Sequence, residues 1–133
     1  MNETFFSYIA LGDSMSIDQY PGPGLGAASL IFRNRDDLFA EFAGRDLHTL
    51  SPQITFTNFA RDGATTHDVL RILSEDLPER IPGSVIVTLT VGGNDLLGSV
   101  FRSGSDPVAA IVERIGDVLQ KIRSRLSPRL IRM

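Results

Sequence analysis

Gly12-Asp13-Ser14-Met15-Ser16 follows directly on the apolar run Phe5-Phe6-Ser7-Tyr8-Ile9-Ala10-Leu11. A short run rich in Phe, Tyr and Ile that stops at Gly-Asp-Ser reads as a buried strand ending in a tight turn. In a parallel α/β sheet, ligands bind outside the carboxyl ends of the strands. A serine there faces substrate while the sheet holds its backbone, and the glycine beside it allows a sharp turn. That is the position of a nucleophile, although a serine after a strand also serves to cap a helix. The pattern recurs twice. Ile54-Thr55-Phe56-Thr57-Asn58-Phe59 leads into Ala60-Arg61-Asp62-Gly63-Ala64-Thr65-Thr66, and Val85-Ile86-Val87-Thr88-Leu89-Thr90-Val91 leads into Gly92-Gly93-Asn94-Asp95. If the three strands lie side by side, Ser14, Gly63 and Asn94 gather at one edge of the sheet.

The elements that must position these residues alternate along the chain as strand, long loop, helix, strand, helix, strand, helix and the start of a fourth strand at 129–133. Such alternation implies right-handed βαβ units and a parallel sheet covered on both faces. Residues 107–126 give the clearest helix. Asp106 is a good N-cap and Pro107 suits the first helical position. Val108, Ile111, Val112, Ile115, Leu119, Ile122 and Leu126 form an apolar stripe, Asp117 and Lys121 are spaced to pair, and Pro128 ends the helix. Thr65 and Asp68 form a capping-box-like start for a second helix, whose buried face is Val69, Leu70, Leu73 and Leu77. A third helix is expected over 36–46, with Leu38, Phe39 and Phe42 on its core side. Between the first strand and that helix, residues 17–33 contain Tyr20-Pro21-Gly22-Pro23-Gly24-Leu25-Gly26, which reads as a long loop bordering the strand ends. It is either a substrate-facing loop or a plain surface loop. A phosphate cradle at Gly22, Gly24 and Gly26 is a third and weaker reading, because a dinucleotide fingerprint leaves a strand and enters a helix at once.

The three blocks together resemble the GDSL, or SGNH, hydrolases: Gly12-Asp13-Ser14, then Asn58 with Gly63 five residues on, then Gly92-Gly93-Asn94-Asp95. The resemblance covers nearly the whole chain and implies a three-layer α/β/α sandwich with a parallel, flavodoxin-like sheet. It also implies a serine ester hydrolase in which Ser14 is the nucleophile. The oxyanion hole would comprise the backbone N–H groups of Ser14 and Gly63 and the side-chain amide of Asn94. A glycine N–H has no side chain in front of it, and an Asn amide donates without transferring a proton. The competing readings are a glycine needed only for its turn and an Asn that shapes a Gly-Gly-Asn-Asp turn. Gly12, Asp13 and Asp95 are expected to support the turns. Asp13 as a phosphoacceptor lacks the acidic neighbour and the well-placed lysine that role requires.

The family's fourth block, Asp-x-x-His, is absent. The chain has two histidines, His48 and His67, and neither follows an Asp by three positions. His48 reads as a surface residue at a helix end, and His67 as a solvated residue at a helix start, with a substitute-base role as the sharper alternative. The single domain, 1–133, is therefore expected to lack its C-terminal part and to stop within the fourth strand. It would then be either an acylhydrolase, esterase or lipase-like enzyme, nearly inactive and marginally stable as residues 1–133 alone, or a non-catalytic binding relic or truncated product without the His/Asp base.

Composition narrows the field further. At 133 residues, 42% apolar and 22% charged, the chain suits one soluble globular core. A net charge of -3 gives no reason to expect nucleic acid or acidic lipid as a partner. The absence of cysteine excludes disulfides and thiolate metal sites, and the two isolated histidines suggest no metal site. The resemblance to the GDSL hydrolases implies no cofactor and a small-molecule ester substrate. No basic leader or membrane-length apolar stretch is present, so a cytoplasmic location is expected. An uncovered sheet edge would favour self-association.

Overall fold

The computed structural model describes residues 5–100, 102 and 107–126. Three parallel strands, β1 (Phe5–Gly12), β2 (Thr55–Asn58) and β3 (Ser84–Thr90), lie in the order β2-β1-β3. Ala10 stands opposite Asn58 on one side, and Gly12 opposite Thr90 on the other. The three carboxyl ends therefore come out side by side. Among the described residues five α-helices accompany them: α1 (Ala27–Phe32), α2 (Leu47–Leu50), α3 (Thr66–Glu75), α4 (Gly93–Val100) and α5 (Pro107–Arg125).

β1 is the middle strand and is apolar on both faces, as a strand covered on both sides must be. Its side chains alternate between two cores. Ile9 and Leu11 pack with Val69, Ile72 and Leu73 of α3 and Val118 and Ile122 of α5. Tyr8 and Ala10 pack with Ala28 of α1, Ile54 and the partly buried Phe32, Leu47 and Phe56. The result is the three-layer α/β/α arrangement expected. Each fully buried Leu, Ile or Val in these cores contributes about 1.5–3 kcal/mol. Tyr8 stacks on Phe56 with ring centroids 5.0 Å apart, and its hydroxyl meets Thr88 Oγ1 at 2.8 Å.

The departures from expectation are local. Residues 36–46 form no α-helix; only a 3₁₀ turn, Ala40–Phe42, is present there. Leu38 and Phe42 are more than half exposed rather than core. Polar side chains capture the backbone instead: Asn34 Nδ2 donates to Phe39 O at 2.8 Å and to Asp36 Oδ1 at 2.7 Å. Conversely, the stretch 17–33 contains α1, packed against the sheet through the buried Ala28. Of the Gly-Gly-Asn-Asp segment, Gly92 precedes α4 and Gly93, Asn94 and Asp95 open its first turn, rather than forming a closed turn. On α5 the buried side runs through Ile111, Val118 and Ile122 and continues to Leu126 just beyond the helix, leaving Val108 and Val112 exposed. Asp117 and Lys121 form no ion pair with each other. Asp106, Pro128 and the fourth strand at 129–133 lie outside the described residues.

Candidate active site

The turn bearing Ser14 is fixed from both sides. Gly12 has φ +133°, and a Cβ on it would collide with the backbone carbonyl and hydroxyl oxygens of Thr90. Only glycine lets the end of β1 close onto β3 in this way. Asp13 N–H then donates to Thr90 O at 2.9 Å. The Asp13 side chain caps the 3₁₀ turn Ser14–Ser16, accepting from Met15 N at 3.1 Å. At the far end of the turn, Ser16 Oγ lies 2.8 Å from Thr90 Oγ1, and Ser16 O accepts from Asn58 Nδ2 at 2.8 Å. Neighbours on β3 and β2 thus hold the turn, while the Ser14 hydroxyl makes no hydrogen bond among the described residues.

The second turn is equally tied. Asn58 Oδ1 accepts from Ala60 N at 2.9 Å, and Arg61 N donates to Gly12 O at 2.9 Å. Gly63 follows with φ +73°, and the space its missing Cβ would occupy is open. Its N–H donates to no group among the described residues. Thr65 then starts α3 through a capping box with Asp68, as its sequence signals. Tyr20 of the long loop reaches across, its hydroxyl donating to Asp62 Oδ2 at 2.8 Å, which sets that loop beside the Gly63 turn. Asp18 shapes the loop by accepting from Gly24 N at 2.9 Å and Gly26 N at 2.8 Å.

The third cluster begins α4. Asn94 Nδ2 donates to Ala64 O at 3.0 Å, which spends one amide hydrogen on the residue after Gly63. Asp95, with a side chain 2% exposed, accepts from Thr66 N at 2.9 Å and Thr66 Oγ1 at 2.5 Å. Arg114 of α5 completes the group, its Nε donating to Thr66 Oγ1 at 2.9 Å and its Nη2 lying 3.4 Å from Asp95 Oδ1. Burial pushes the Asp95 carboxyl up, but the Thr66 hydroxyl and N–H and the Arg114 guanidinium outweigh it and hold the carboxyl below the ordinary range.

Ser14, Gly63 and Asn94 therefore follow three adjacent strands at the same end of the sheet. The histidines do not join them. His67 sits exposed in the first turn of α3, and His48 lies on α2 edge-on to Phe32, with ring centroids 5.7 Å apart. Neither hydrogen-bonds to Ser14. Among the described residues no cluster of His, Cys, Asp or Glu is placed to hold a metal ion, and no helix is long and apolar enough to cross a membrane. Thr90, Thr66 and Arg114 were not singled out by sequence. Arg114 left a signal nonetheless: with Ile111 and Val118 it falls on the buried face of α5, where a lone charge needs a partner.

A family model for GDSL-like lipase/acylhydrolase proteins matches residues 8–130. The chain belongs to that family. Among solved structures, a member of the lipolytic G-D-S-L family from Veillonella parvula superposes with a TM-score of 0.60 at 18% identity, over 95% of this chain and 56% of that one. A lipase from a goat rumen metagenome gives 0.58 at 21% identity, over 95% of this chain and 61% of its own. An acetyl xylan esterase gives 0.54 at 18% identity, over 95% and 57%. At these identities the likeness speaks for the fold, and the GDSL-like chain spans somewhat more than half the length of these neighbours. No curated protein matches it.

Proposed function

We propose that this chain carries the nucleophile and the oxyanion hole of a serine ester hydrolase. The observation that carries the proposal is the convergence of three strand ends, with the free hydroxyl of Ser14 after β1, the open Gly63 turn after β2 and Asn94 opening α4 after β3. Family membership supports it. Ser14 Oγ would attack the acyl carbon of a small ester, forming a tetrahedral intermediate whose oxyanion accepts from Ser14 N–H, Gly63 N–H and the second Asn94 amide hydrogen. Collapse would expel the alcohol, and water would release the acid from the acyl-serine, restoring the hydroxyl. In the family the Ser proton passes to the His of an Asp-x-x-His block. These 133 residues contain only His48 and His67, so nucleophile and donors have to be scored apart from full turnover.

An organophosphonate ester probe separates the two. Mass spectrometry should place the adduct on Ser14, with labelling lost in Ser14→Ala. An adduct on another serine that survives Ser14→Ala would remove Ser14 from the mechanism. A pocket that binds a short-chain ester without modification or turnover at Ser14 would favour a binding module over an enzyme.

A further inference from the structure

We propose that Arg114 is a positioning residue for the Asn94 donor, acting through Thr66 and Asp95; this rests on the ester-hydrolase reading above. The turn after β2 and the start of α4 are joined at two neighbouring points. One is the Asn94 amide on Ala64 O at 3.0 Å, a neutral contact at the edge of the site. The other is Asp95 on Thr66, where Thr66 and the carboxylate side chain of Asp95 are buried and the acceptor is charged. Charge-assisted bonds of this kind are roughly twice as strong as neutral ones. Asn94 and Asp95 are consecutive, and Ala64 and Thr66 are two apart, so the buried pair sets where the amide can stand.

Arg114 gives that pair its direction. Its Nε–H occupies an acceptor site on Thr66 Oγ1, which turns the hydroxyl hydrogen toward Asp95. Its Nη2 supplies the counter-charge that a buried carboxylate requires. Without the guanidinium, Asp95 is a buried charge with only Thr66 to satisfy it. Water or a shifted α4 would then meet the deficit, and either moves Asn94. Thr66→Val tests the same link while keeping the residue's shape and its N–H, and Arg114→Lys keeps a positive charge but loses the planar fork.

The full 133-residue chain, labelled with ¹⁵N, provides a readout independent of turnover. The Asn94 side-chain amide pair, identified by its loss in Asn94→Ala, should be distinct and slowly exchanging. Arg114→Met and Thr66→Val should shift it and speed its exchange, with Arg114→Lys restoring part of the protection. Hydrolysis of a short-chain aryl ester, where it is lost in Ser14→Ala, should fall about 10- to 100-fold in kcat with KM unchanged, as for a misplaced catalytic group. Should Arg114→Met unfold, Thr66→Val decides. An unchanged Asn94 amide in a folded variant, or an unchanged Ser14-dependent kcat, overturns the role of Arg114. Hydrolysis that survives Ser14→Ala overturns the ester-hydrolase reading instead, and the amide signal still decides whether Arg114 positions Asn94.

Discussion

At the scale of single residues, the site separates glycines that serve packing from glycines that leave room. Gly12 and Gly63 both have positive φ, yet a Cβ on Gly12 strikes Thr90 while one on Gly63 meets nothing within 4 Å. Gly12→Ala is therefore expected to yield insoluble or unfolded protein. Gly63→Ala should fold, losing about 1–2 kcal/mol to the left-handed backbone, while its methyl would enter the open space that the proposed oxyanion would occupy. Circular dichroism with phosphonate labelling checks the contrast: folded Gly63→Ala that labels at the native rate would take Gly63 out of the oxyanion hole. On the proposed mechanism Asn94→Ala is expected to reduce Ser14-dependent kcat by roughly 100- to 1,000-fold with little change in KM, because an oxyanion donor acts on charge present mainly in the transition state. A raised KM at native kcat would make Asn94 a substrate-binding group only.

At the scale of elements, legibility followed how local the determining interaction was. β1 and β3 were readable because apolar runs bounded by glycine have few other fates, and α3 because its capping box lies within four residues. α1 was not, since six residues following a Pro/Gly-rich loop have no helical signal of their own and are held by Ala28 against the sheet. α4 was hidden behind Gly92-Gly93, poor helix formers, and is fastened by Asp95 to a residue 29 positions away. The region 36–46 failed in the opposite sense: its apolar spacing is helical, but Asn34 binds the backbone that a helix would need. The three strand ends were therefore readable, whereas the clasp through Arg114 that joins the ends after β2 and β3 was not. The capping box also carries a quantitative test. Thr65→Ala removes the side-chain acceptor for Asp68 N and should cost about 1 kcal/mol. Urea denaturation should show a lower midpoint at an unchanged slope; an unchanged midpoint would mean that α3 is held by packing alone.

At the scale of the whole molecule, Asp95 links three helices, since its partners lie on α3 and α5 while it belongs to α4. Of the carboxylates in ion pairs among the described residues, it is the most buried, at 2% exposure against 37% or more for the others. Its carboxyl is held below the ordinary range despite burial, and Asp46 and Asp68 are lowered in the same direction by Thr49 and Thr65. A carboxyl with a lower pKa folded than unfolded contributes stability that is fully present above its unfolded value of about 3.9. That contribution fades as pH falls through the lower folded value. Stability should accordingly be flat with respect to these groups near neutrality and drop below about pH 4. Asp95→Asn should lower Tm at pH 7, where the charged partner of Arg114 is lost, and narrow the gap to the native chain as the pH is taken down. Thermal melts of both proteins from pH 7 to pH 3 measure this. Parallel curves, with Asp95→Asn offset by the same amount at every pH, would mean that Asp95 contributes through its shape and hydrogen bonds rather than its charge.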